Sequence, residues 1–412
     1  MAISPSSIAL KQTEESDWSY AGWRVVLAAH LGVMAGFGSL FVYTFSIFLK
    51  PLSSQFGWSR EAVSAGFGLG AITVGICSPA LGRALDRFAP RRVILPCMAI
   101  FGFGFASLGL LGPRLWQFYA TCIGLGIVGN GAAQLAYSRT IVTWFHKRLG
   151  MALAFVMAGS GIGSIILPLI AQTIVSQWGW RTAYFLLGAL ALALGLPCSW
   201  RYVHDRCCEG HGSSPAVLSG MSWREGLRSH SFWIIVSVLL LNSASINGVL
   251  AHLSALLTDR GIAPEGAAVG LSILGATSLG GRLLVGALLD RFRAPLVAFI
   301  MLMPASAGIL LLTRVSSLVI GGIAAALIGI GMGAEADVIP YLLTRYFGVK
   351  SFSTLYGLTW TFYAFAGGVG PVILGRTFDL TGSYTSVLLI LGFAVALAAS
   401  LMLSLPRYPD RA

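Results

Sequence analysis

Long apolar stretches alternate with short polar breaks along the whole chain. The apolar runs fall near residues 24–48, 61–81, 93–112, 116–142, 149–172, 180–200, 232–257, 266–289, 295–313, 317–342, 352–376 and 383–405. Each is long enough to cross a hydrocarbon core of about 30 Å as a helix, which takes roughly 20 residues. A helix suits that solvent because it satisfies its own backbone polar groups. Arg, Asp, Pro or Gly clusters punctuate nearly every gap. The pattern predicts an all-α integral membrane protein with twelve transmembrane helices.

The breaks divide the chain further. The longest polar stretch, residues 201–231, is rich in Gly, Ser, His and charges and reads as a linker. It separates residues 24–200 from residues 232–405, six runs on each side, with short ends at 1–23 and 406–412. The segment around Met221 to Leu227 is expected to form a short surface helix. GRALDRF (Gly82 to Phe88) recurs as GALLDRF (Gly286 to Phe292), and GWRTAYFLLG at Gly179 has a weaker echo in GSYTSVLLILG at Gly382. Parallel repeats of this length suggest two pseudo-symmetric six-helix halves about an axis along the membrane normal.

Composition agrees with a bilayer environment. Of 412 residues, 56% are hydrophobic and 10% charged, against about 25% charged in soluble proteins. The net charge of +12 is spread over short inter-helix segments, with no basic helix interleaved with aromatics, so nucleic acid is not the expected partner. Arg83, Arg87, Arg91, Arg92, Lys147, Arg148, Arg201 and Arg206 fall on one side of the twelve-helix layout, which places both termini in the cytoplasm. The expected location is the cytoplasmic (inner) membrane. Some twenty mostly polar residues precede the first run, which is too long for a cleaved signal peptide.

The six cysteines form no disulfide framework. HDRCCEGH has zinc-type ligands at His204, Cys207, Cys208 and His211, but one isolated tract is a weak metal site; lipidation of the two cysteines is the better alternative. No Walker motif, catalytic triad or carboxylate dyad is present. No cofactor and no enzymatic reaction are expected.

Candidate chemistry centres on Arg282, near the middle of an apolar run. At that depth a guanidinium costs about 2.5–3.5 kcal/mol on insertion scales, so it usually faces protein or a water-filled path. Gly275, Ser278, Arg282 and Gly286 share one helical stripe. A guanidinium there can hold a carboxylate through two parallel hydrogen bonds. The alternative is a structural arginine neutralised by Asp337 or Glu335.

Those two carboxylates lie two residues apart, about 200° around a helix, so they cannot both face one cavity. Asp337 shares its stripe with Gly333, Tyr341 and Thr344, and that more polar stripe is assigned to the pore. Asp337 is then a proton carrier or a fixed carboxylate, and Glu335 a structural one that also stands as a proton-coupling candidate. Asn130, Gln134 and Tyr137 share one side of the fourth run; Ser243, Asn247 and Ser254 do so on the seventh. Trp360 and Tyr363 are neighbours on the eleventh. Such amides and aromatics can line a polar pocket or simply bond helix to helix, at about 0.6 kcal/mol each.

The twelve-run plan, the duplicated G-x-x-x-D-R segment and the middle linker resemble the major facilitator superfamily. Within it, DWSYAGWRVV (Asp17 to Val26) and WFHKRLGMALAFVMAGSGIG (Trp144 to Gly163) are similar to the monocarboxylate transporters and their bacterial relatives, including oxalate–formate exchangers. The resemblance implies that Arg282 binds carboxylate. It implies a conformational gate in the loops holding Gly82, Asp86, Arg87 and Arg91, and Asp290 and Arg291. Departures are informative. Animal members carry an aspartate one turn before the arginine, where this chain has Ser278, and a lysine in the first helix, which is absent between Val25 and Leu49. The exchanger's second basic residue has no counterpart from Phe352 to Gly375.

The expected function is therefore secondary active transport of a small monocarboxylate such as lactate or pyruvate, by proton symport or anion exchange. The substrate-binding candidates are Arg282, Ser278, Asn130, Gln134, Tyr341, Asn247, Trp360 and Tyr363. The expected partners are a small organic anion, a proton or counter-anion, and the lipid bilayer, with the monomer as the working unit. Alternatives are an oxalate or formate exchanger, efflux of larger apolar compounds, and a membrane receptor that binds a nutrient without moving it.

Overall fold

Why the apolar runs become helices, and where each one stops, is visible at their ends in the computed structural model, which describes residues 20–145, 149–203, 221–289, 291–348 and 352–406. Ser59 accepts a hydrogen bond from the Ala62 amide at the start of α3, Arg60–Arg87, and Ser317 does the same for Ile320 at the start of α12, Leu318–Phe347. Each supplies one of the acceptors that the first-turn amides lack. Prolines open α4, Pro90–Ser107, and lie in the first turn of α11, Ala294–Leu311, where a missing N–H costs nothing. The remaining long helices are α9, His230–Asp259; α10, Pro264–Leu289; α13, Phe352–Thr381; and α14, Thr385–Leu403.

Four runs depart from the pattern of one straight helix each. The first is split into α1, Ala21–Met34, and α2, Tyr43–Phe56, by a π-helical turn over Gly38–Val42. The fourth is split into α5, Leu115–Gly129, and α6, Gln134–Trp144, by a 3-10 turn over Asn130–Ala132 and an extended Ala133. The fifth and sixth merge into α7, Leu149–Tyr202, which bends at Gly179 with φ 82°. At 1.5 Å per residue its 54 residues would extend about 81 Å, far beyond one bilayer crossing, so the bend is required. Ten continuous segments among the described residues are long and apolar enough to cross a membrane. The sequence pattern counted twelve; the merged α7 and the interrupted α5–α6 account for the difference.

The expected short helix before α9 is present as α8, Trp223–Arg228, closed by a reciprocal capping box between Ser222 and Glu225. Met221 donates its amide to the Phe347 carbonyl at 2.9 Å, which ties α8 to the end of α12. That end of the bundle is called the linker end below. The other end, where α2 meets α3 and α9 meets α10, is the latch end.

Large apolar side chains point outward around the bundle: Leu110, Leu283, Val319 and Leu380 are about 70% exposed or more. Such a surface fits lipid and not water. Inside, association without a hydrophobic driving force depends on close backbone approach. The Gly68 and Gly368 backbones touch where α3 crosses α13, and Gly333 sits against the Ser278 carbonyl where α10 crosses α12. No side chain would fit at these crossings.

Candidate functional site

A cavity of about 310 Å³ lies between these helices, at the lower end of the range typical for small-molecule sites. Its wall on α10 is the stripe Gly275, Ser278, Leu279 and Arg282, with Arg282 half-buried. Facing it, α13 supplies Tyr356, Thr359, Trp360 and Tyr363, and α9 supplies Asn247. The Trp360 and Tyr363 rings stack at 5.0 Å, which gives the wall a flat aromatic surface. Tyr363 is fixed from behind: Asn247 donates to its hydroxyl at 3.4 Å, and Ser243 donates to its carbonyl at 2.8 Å.

Both interrupted helices open onto this cavity. Gly38, Val42 and Tyr43 come from the π turn and the start of α2, and Asn130 and Ala133 from the break between α5 and α6. π turns recur at functional sites, and broken helices in transporters line cavities, where non-helical backbone is tolerated. Asn130 is anchored by a hydrogen bond to Ser78. On α7, Ser160, Gly161 and Ser164 complete the wall.

The acidic helix adds a difference from the sequence reading. The α12 residues that line the cavity are Met332, Gly333, Glu335 and Ile339. Glu335 thus belongs to the lining, although its stripe is the less polar one. Gly333, on the Asp337 stripe, lines the cavity as well, so both stripes of α12 contribute to it. The side chains of Asp337, Gln134, Gly82, Asp86 and Arg87 lie outside the described residues, as do the whole of Asp290, Cys207 and Cys208. Tyr341 does not line the cavity; it accepts a hydrogen bond from Arg345 at 3.3 Å, one turn nearer the linker end. Arg91 lies over the Trp200 ring at 5.9 Å, and Arg291 is exposed.

The cavity lies towards the linker end. It takes residues from the first part of α13, the middle of the α7 segment before Gly179, the middle of α9, α10 and α12, and Phe67, Ala71 and Val74 of α3. The latch end is closed by a polar network that the sequence reading did not identify. Asp259, at the last position of α9, pairs with Lys50 at 2.7 Å and with Arg60 at 2.5 Å. Arg60 also donates to the Tyr384 hydroxyl at 2.6 Å and lies 3.7 Å over the Phe378 ring. The Arg60 and Glu61 amides, at the start of α3, both donate to Asp379, which puts a carboxylate on the positive end of a helix. Below them the fully buried His252 contacts Ser64 at 2.8 Å and Tyr384 at 3.0 Å. A histidine inside the apolar run 232–257 was the available signal.

The model of the Major Facilitator Superfamily matches residues 31–371. The chain belongs to the major facilitator superfamily. As a superfamily member it is a multi-pass membrane transporter. Human monocarboxylate transporter 11 is 25% identical over 94% of this chain and 83% of its own. An uncharacterized 38 kDa protein in a 23S RNA operon of Thermoproteus tenax is 29% identical over 93% and 96%. Among solved structures, a bacterial homologue of the human lysosomal transporter Spinster superposes with a TM-score of 0.71, covering 94% of both chains at 17% identity. That likeness speaks for the fold.

Proposed function

We propose that this superfamily transporter moves a small monocarboxylate, of the size of lactate or pyruvate, by alternating access. The observation that carries the reading is Arg282: among the described residues it is the one Lys or Arg side chain lining the cavity. A guanidinium offers a carboxylate a two-pronged hydrogen bond, with Ser278 one turn away as a further polar group. One cation suits a monoanion, because a second carboxylate would be desolvated without a counter-charge. Asn130 and Asn247 can bond the rest of the molecule, and the Trp360–Tyr363 stack can cover its apolar part. The names of several relatives point the same way.

In this reading residues 24–200 and 232–405 are two six-helix halves that rock about the cavity, with both termini in the cytoplasm and the protein in the inner membrane. The pairs Lys50–Asp259 and Arg60–Asp259 then join the halves at the external end. The driving ion is a proton, or a counter-anion in exchange. The test is uptake of labelled lactate, pyruvate, oxalate and formate into proteoliposomes, with and without an inward proton gradient, for wild type and Arg282→Lys. Monocarboxylate uptake that is lost in the variant is expected. Uptake unchanged in Arg282→Lys, or transport confined to larger uncharged compounds, would overturn the reading in favour of efflux.

A further inference from the structure

His252, on α9 about two turns before Asp259, is 0% exposed. Its Nε2 lies 2.9 Å from the Pro371 carbonyl of α13 and 2.8 Å from the Ser64 hydroxyl of α3. Its Nδ1 lies 3.0 Å from the hydroxyl of Tyr384, the residue before α14. One ring thus ties α3, from residues 24–200, to three elements of residues 232–405.

The partners fix where the ring hydrogen sits. A carbonyl only accepts, so Nε2 carries the hydrogen that faces Pro371. In the neutral ring Nδ1 is then bare and accepts from the Tyr384 hydroxyl. The Tyr384 oxygen in turn accepts from Arg60 Nη1 at 2.6 Å, because a guanidinium only donates. The outcome is a one-way relay from Arg60 through Tyr384 and His252 to Pro371. A hydrogen on Nδ1 would point at the oxygen that already receives Arg60 and would turn the hydroxyl hydrogen away from the ring. It would also place a positive charge on the ring while the Arg60 guanidinium is bonded to the same oxygen, in a space closed to water.

The surrounding charges offer such a ring little relief. Arg60 from α3 and Asp259 from α9 act on it, and Tyr384 is the titratable group in contact with it. Asp259 is already shared by Arg60 and by Lys50 of α2. Asp379 of α13 is bonded to the amides that open α3, and Glu61 faces Arg376 at 3.8 Å. We propose that the latch end closes only around the neutral His252 ring with its hydrogen on Nε2, so that a proton on this ring opens the latch. Opening parts Ser64 from His252 and Arg60 from Tyr384, and lets water reach the ring. Hydronium then gives its proton to the Nδ1 lone pair, leaving water. Because the proton binds the open form and not the closed one, acid shifts the population towards open. The inference holds whatever molecule the cavity carries.

The sign and size follow from linkage. An exposed imidazole titrates near pH 6.5, so closure is fully favoured above about pH 7.5 and weakens below about 6.5. The open-to-closed ratio should rise about 10-fold between pH 8 and pH 5.5, while ordinary carboxylates stay ionised. Electron–electron distances between nitroxides at the exposed positions Gln55 and Ala263, on either side of the latch end, read this ratio with no substrate present. Failure of lactate uptake would therefore leave this inference standing. The rise is expected in wild type and in His30→Gln, whose own histidine bonds the Phe155 carbonyl between α1 and α7. In His252→Gln the ratio should not change with pH; a merely structural histidine would shift the ratio at every pH and keep its slope. The pH of onset in wild type identifies the titrating class without any variant. A wild-type ratio independent of pH, an onset only below about pH 5 as for carboxylates, or a response that survives His252→Gln would each overturn the inference.

Discussion

Arg60 and Asp259 meet in a two-pronged ion pair, at 2.5 and 3.1 Å, although 199 residues separate them in the chain. The pair joins the start of α3 to the end of α9, and it closes the end of the bundle away from the cavity's polar wall. Its side chains are 12% and 25% exposed, so it is neither a fully solvated surface pair nor a dry one. Lys50 shares the same carboxylate at 2.7 Å. One carboxylate thus holds two cations, and its removal takes an ion-pair partner from both while Arg60 keeps its contacts with Tyr384 and Phe378.

Asp259→Asn is accordingly expected to open the latch end without unfolding the protein. Hydrogen bonds to charged groups contribute about 1.5–3 kcal/mol, and partial exposure lowers the figure towards about 1 kcal/mol. A loss of about 1–3 kcal/mol moves a two-state equilibrium roughly 5- to 150-fold. Nitroxide labels at the exposed positions Gln55 and Ala263 span this end, and electron–electron distance measurements should show a longer population in the variant. An unchanged distance distribution would mean that the pair does not hold the closed state.

Gly368→Ala should act on the same equilibrium through packing. A β-carbon at Gly368 would stand 2.8 Å from the Gly68 carbonyl oxygen, and at both residues the obstacle includes backbone. Overpacking of this kind typically costs about 1–3 kcal/mol. Because the crossing joins α3 to α13, the strain falls on a contact that must loosen when the latch end opens. The expected result is a lower melting temperature together with a longer Gln55–Ala263 distance. A lower melting temperature alone would assign Gly68 and Gly368 to stability only.

How far the sequence revealed this arrangement depends on what kind of signal each residue carried. Hydropathy exposed the helices because each apolar run has to satisfy its backbone within itself. Arg282 was legible because a lone guanidinium in an apolar run demands an explanation. The helix interruptions at Gly38–Val42 and Asn130–Ala132 were not, since glycine is common throughout such helices and marks no particular break. Glu335 and Asp337 were recognised as a pair, but which one faces the cavity depends on the rotation of α12, which its contacts with α10 and α11 decide. The Arg60–Asp259–Tyr384–His252 network was invisible for a related reason. Its members come from three separate parts of the chain, with His252 and Asp259 both on α9, and only the fold brings them together.

Ser278 supplies the last test, since it occupies the position one turn before the cavity arginine. Both residues line the cavity, and on one helical face their side chains are neighbours. An aspartate introduced there would lie beside Arg282 in a space of low dielectric and occupy the guanidinium as an internal counter-ion. A bound monocarboxylate would then have to displace it. Ser278→Asp should weaken carboxylate binding by about 10- to 100-fold, equivalent to roughly 1.4–2.8 kcal/mol, while Ser278→Ala should weaken it by less than 10-fold. Trp360 provides the readout, because its ring lines the same cavity and is 38% exposed. Ligand-dependent quenching of tryptophan fluorescence, corrected by the Trp360→Phe background, gives the affinity of each variant for lactate. Equal affinities in Ser278→Asp and wild type would show that the anion does not bind beside Arg282.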